Sequence, residues 1–83
     1  MIAHSFSKKQ VGQLLAALQT LIEGELLDKE EKEKARRLVR KFGGVKAQDY
    51  LLARSEGESY CIVHIPEEDE ELLQSLEGSL WRR

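Results

Sequence analysis

Ser7-Lys8-Lys9-Gln10 and Asp28-Lys29-Glu30-Glu31 each place an oxygen-bearing side chain, with a Gln or Glu three residues on, directly before a segment of apolar helical spacing. Such a residue accepts a hydrogen bond from an orphaned N–H of the first turn. The Gln or Glu then reaches back to the cap's own N–H. Phe6, just before the first cap, and Val11, four positions into the helix, supply the matching hydrophobic staple. A chain that opens with two such signals is constrained to two consecutive helices, each with a defined start.

The first helix is expected from Lys8 to Glu23, with Leu26 as its furthest reach. Val11, Leu14, Leu15, Leu18, Leu21 and Ile22 fall within roughly 120° of arc, the stripe of a core-facing helix. Gly24 marks its end. The second helix is expected from Lys29 to Phe42, stopping at Gly43-Gly44, with Ala35, Leu38, Val39 and Phe42 as its apolar face. Glu30 with Lys34 and Glu33 with Arg37 are acid-first i,i+4 pairs. The short connection from Gly24 to Asp28 favours a helical hairpin.

Beyond Gly44 the pattern changes. Tyr60-Cys61-Ile62-Val63-His64-Ile65 is β-branched and aromatic, with no helical spacing, and reads as a strand. Residues 54–59 form a polar, Gly-bearing turn before it. The segment from Val45 to Ala53 reads two ways: Ala47 to Ala53 has helical propensity, while Tyr50, Leu52 and the turn suggest the first strand of a hairpin. The strand is the preferred reading. Pro66 suits the first position of a third helix. Glu67, Glu68, Asp69, Glu70 and Glu71 crowd its first turn, where the helix dipole favours negative charge. Leu72, Leu73, Leu76 and Leu80 supply an apolar side, and Gly78 is a weak point or end. The expected fold is α+β, in the order α-α-β-β-α, as a single small domain over residues 1–83, with no element assigned before Ser7.

Length and composition narrow the function classes. A chain of 83 residues buries only about 60–65% of its unfolded surface, so homo-oligomerisation is an ordinary way to gain stability. The lone Cys61 cannot form an internal disulfide, which suits a reducing, cytoplasmic setting. The first six residues lack the basic-then-apolar build of a secretory signal. Apolar runs are far shorter than the ~20 residues that span a bilayer, so no membrane partner is expected. The net charge of −2 conceals a polarity. Residues 1–54 carry eleven Lys/Arg against seven Asp/Glu, and residues 55–83 carry two against eight.

Few spacings here carry chemistry. Cys61 and His64 have the separation of half a zinc site, but on a strand residues three apart point to opposite faces. The acidic run lacks the alternation and turn glycine of a calcium loop. No phosphate-binding glycine loop or nucleophile elbow is present. No catalytic residue, metal or cofactor is therefore assigned.

Arg36, Arg37, Arg40 and Lys41 span roughly 140° of the second helix opposite its apolar face, and Lys46 follows. Arg37 and Arg40 could then both be reversed without harming the fold. Two helices, the second basic, followed by a hairpin resemble in outline the winged-helix approach to DNA phosphates, which implies phosphate contacts by these five residues. Glu30, Glu31 and Glu33 stand before the cluster and would repel phosphate, so a solvated, salt-bridged face is the preferred reading of the pattern. The leading expectation is a small non-enzymatic binding or regulatory module. Its partner would be another protein or a second copy of itself, with the acidic start of the third helix (Glu68, Glu71) as a partner surface. Nucleic-acid binding is the alternative.

Overall fold

The computed structural model describes residues 1–46, 49–52 and 59–81, with the backbone alone for residues 51 and 52. Strand β1 (Ile2–Ser7) is followed by helices α1 (Lys8–Glu23) and α2 (Lys29–Gly43), strands β2 (Leu51–Leu52) and β3 (Ser59–Ile65), and helix α3 (Glu67–Leu80). The α+β class and the helix-helix-strand-strand-helix order are present. A strand that was not anticipated precedes them.

Both caps form, but the reciprocal bond expected at each start is present at the first alone among the described hydrogen bonds. Ser7 Oγ accepts from the Gln10 N–H at 3.2 Å, and the Ser7 N–H donates to Gln10 Oε1 at 2.8 Å, closing the capping box. Asp28 Oδ1 accepts from the Glu31 N–H at 2.8 Å. Asp28→Ala should therefore lower stability by about 0.5–2 kcal/mol. Chemical denaturation checks this, and an unmoved midpoint with an unmoved slope would contradict it. Helix α1 ends at Glu23 with Gly24 as its C-cap, as expected, and does not extend to Leu26; neither Gly24 nor Gly44 is left-handed, with φ of −79° and −82°. A Cβ at Gly44 would sit 3.2 Å from the Arg40 carbonyl oxygen, a tight contact that glycine avoids.

The sheet has the order β1-β3-β2 and is antiparallel throughout. Its long pairing joins β1 to β3, from Ile2 opposite Ile65 to Ser7 opposite Tyr60. Only Leu51 and Leu52 realise the expected first hairpin strand, and Ala47, Gln48, Ala53 and the turn at residues 54–58 lie outside the described residues. Phe6, Cys61, Val63 and Ile65 project from one sheet face into a core shared with Val11, Leu14 and Leu18 of α1. Ala35, Leu38 and Phe42 of α2 and Leu73 and Leu76 of α3 complete that core. The Phe6 ring meets Phe42 edge-on at 5.4 Å. Pro66 is the N-cap of α3 rather than its first residue, and Gly78 lies within the helix. Trp81, just past its end, donates Nε1–H to Gln13 Oε1 at 2.8 Å and fastens α3 to α1.

Candidate functional site

Helix α2 carries the predicted basic set, and the fold divides it. Ala35, Leu38 and Phe42 bury one side, which leaves Arg36 and Arg40 exposed on the other. Arg37 turns to α3. Its Nε and Nη2 donate to Asp69 Oδ2 and Oδ1 at 3.2 and 2.6 Å, a bidentate fork, and Glu68 Oε1 lies 3.7 Å from Nη2. Asp69 is wholly buried. Hydrogen bonding to Asp69 raises the Arg37 pKa, against an opposing effect of desolvation. Reversing Arg37 is thus not harmless to the fold, contrary to what its position on the helix suggests, because it would strand a buried carboxylate. Lys41 lines a shallow groove of about 500 Å³ with Val45, Ile62 and His64. Lys46 is exposed, and its N–H donates to Asp49 Oδ2 at 2.8 Å.

The acidic run also divides. Glu67, Glu68 and Glu71 are exposed, as a solvated helix start requires. Asp69 and Glu70 point inward instead. Glu70 accepts from His4 Nε2–H through both carboxylate oxygens, at 2.7 and 2.8 Å, which places the imidazole proton on Nε2. The His4 ring stacks over Phe6 at 5.8 Å. Glu68 faces Arg37 within the same chain, while Glu71 borders a depression with Asp28, Glu30, Glu31 and Lys34.

The pairing of His4 with Glu70 escaped sequence reasoning. Their separation of 66 positions carries no local signal. The alternation of Ile2, His4 and Phe6 with Ala3 and Ser5 is the one feature that could have marked β1 and placed His4 on its inner face. Nearby, burial pushes the Glu77 carboxyl up; His4 pulls it down and Glu70 adds to the rise. A carboxyl whose folded pKa is raised favours folding below its unfolded pKa, and that contribution is lost as pH rises through the folded value. Glu77→Gln should therefore melt higher than the parent at pH 7, with the gap closing near pH 4. Thermal melts at both values check it, and equal melting at pH 7 would refute it.

Cys61 is buried and His64 exposed, on opposite sheet faces, so they do not form half a metal site. Burial raises the Cys61 thiol pKa, opposed by a hydrogen bond with Tyr50. That describes an inert structural thiol rather than a nucleophile. No family model, curated protein or solved structure matches this chain. Among the described residues, no helix is long and apolar enough to cross a membrane.

Proposed function

We propose that this chain is a small non-enzymatic, cytoplasmic module that acts by binding another protein. The observation that carries the reading is the one-sided covering of the sheet. Phe6, Cys61, Val63 and Ile65 are buried beneath the helices, while Ala3, Ser5, Ile62 and His64 on the opposite face stay exposed. Ile62 keeps 58% of its surface open, a large apolar group on the uncovered side. The interior polar groups support the same reading. Arg37 with Asp69 and His4 with Glu70 satisfy one another and tie elements together, so they serve the fold.

Ile62→Glu should leave the melting temperature nearly unchanged, because the side chain is exposed, yet remove the protein partners that the parent captures from native cell extract. Mass spectrometry of both captures is the measurement. Identical partners with both baits, or none with the parent, would sink the proposal.

A second reading rests on Arg36 and Arg40, which stand exposed on α2 with Lys46 beyond its end. They fit phosphate contacts in a winged-helix-like approach, a likeness of outline alone. Arg36→Ala with Arg40→Ala should then flatten the log–log salt dependence of nucleic-acid binding by roughly 1.4–1.8. Absence of any gel shift at low salt would remove this reading.

A further inference from the structure

Strand β1 has a strand on one side only among the described residues, because the sheet order is β1-β3-β2. Its Ser7 N–H donates to the Gln10 side chain rather than across the ladder. By the two-residue alternation of a strand, the N–H and C=O groups of Ser5 and Ala3 face that same unpaired side. Natural edge strands are usually guarded by Lys, Pro, an inward charge or a bulge. Residues Ile2–Ser7 contain no Lys, Arg, Asp, Glu or Pro and pair with β3 in unbroken register; their one titratable side chain, His4, is hydrogen-bonded inward to Glu70.

We propose that this edge pairs with β1 of a second copy, antiparallel about a two-fold axis, joining two three-stranded sheets into one of six. The inference deepens the protein-binding reading and rests on it. The ends of the strand identify the occupant. Exposed Lys8 and Lys9 follow β1 directly. At its other end Ile2 lies opposite Ile65, and exposed Glu67 begins α3 just two residues on. Antiparallel pairing brings the basic end of each copy beside the acidic end of the other, twice over, as an isologous interface requires. A strand pair is a small interface, so weak, concentration-dependent association is expected.

Sedimentation velocity on the full chain over a concentration series is the test. The mass should rise from 9.5 kDa to about twice that value as concentration increases. Ser5→Pro removes an outward N–H, and Ser5→Lys guards the edge without touching the backbone. Both should stay monomeric while keeping the parent's circular dichroism. Lys8→Glu with Lys9→Glu should weaken the dimer roughly tenfold or more, and adding Glu67→Lys should restore it. A parent that is monomeric throughout, or a dimer that survives both Ser5 changes, overturns the proposal. A monomer that still captures a protein through the Ile62 face overturns self-pairing alone. A monomer that captures nothing removes the protein-binding reading with it.

Discussion

Replacing Leu18 by alanine should destabilise the protein by about 2–5 kcal/mol, through lost transfer energy and the cavity left behind. Leu18 sits at the middle of the α1 stripe, has no exposed surface, and belongs to the core that unites all three helices with the sheet. A domain of this length holds on the order of 4–12 kcal/mol in total, so the loss is a large share and can abolish folding. Leu26→Ala is the matched control. That side chain is 88% exposed, in the connection between α1 and α2, and should change stability by less than about 0.5 kcal/mol. Denaturant titration of both variants, followed by circular dichroism, gives the answer. Equal midpoints would mean that Leu18 is not a core residue.

Arg37→Met should rank beside it. The change removes both donors from Asp69, whose carboxylate has no solvent to turn to. A buried charge left without its partner is among the costliest local defects in a protein. The melting temperature should fall on the order of 10 °C or more. Arg37→Lys should rescue poorly, because an ammonium cannot reproduce the planar two-donor fork. Converting both partners, Arg37→Met with Asp69→Leu, should recover most of the loss by leaving no charge unpaired. This double-mutant comparison separates a pair that holds α2 to α3 from one that merely decorates the surface. If Arg37→Met alone melts like the parent, the clamp contributes nothing. The result also bears on nucleic-acid binding: an Arg37 change that abolishes it would report the clamp, so Arg36 and Arg40 are the informative positions.

The features legible in the sequence are those whose physics is local. Ser7 and Asp28 cap helices because each oxygen reaches an N–H three residues away. Leu14, Leu18, Ala35, Leu38 and Phe42 fall on buried faces because the helical repeat alone aligns them. The β3 run from Tyr60 to Ile65 is strand-forming through its own side chains. Strand β1 is different. Its six residues become a strand because β3, more than fifty positions later, supplies the ladder. The same distance hid the polar contacts. Nothing near residue 69 shows that one carboxylate of an acidic run is drawn to Arg37, or that its neighbour is drawn to His4. Position around a helix axis predicts only which side faces water if nothing packs there, and α3 packs against α2 where Arg37 emerges. Helix starts, helix faces and the central strand were therefore determined by neighbours along the chain. The edge position of β1 among the described residues, the division of the basic set and the two inward hydrogen-bonded pairs, Arg37 with Asp69 and His4 with Glu70, were decided only when distant segments met.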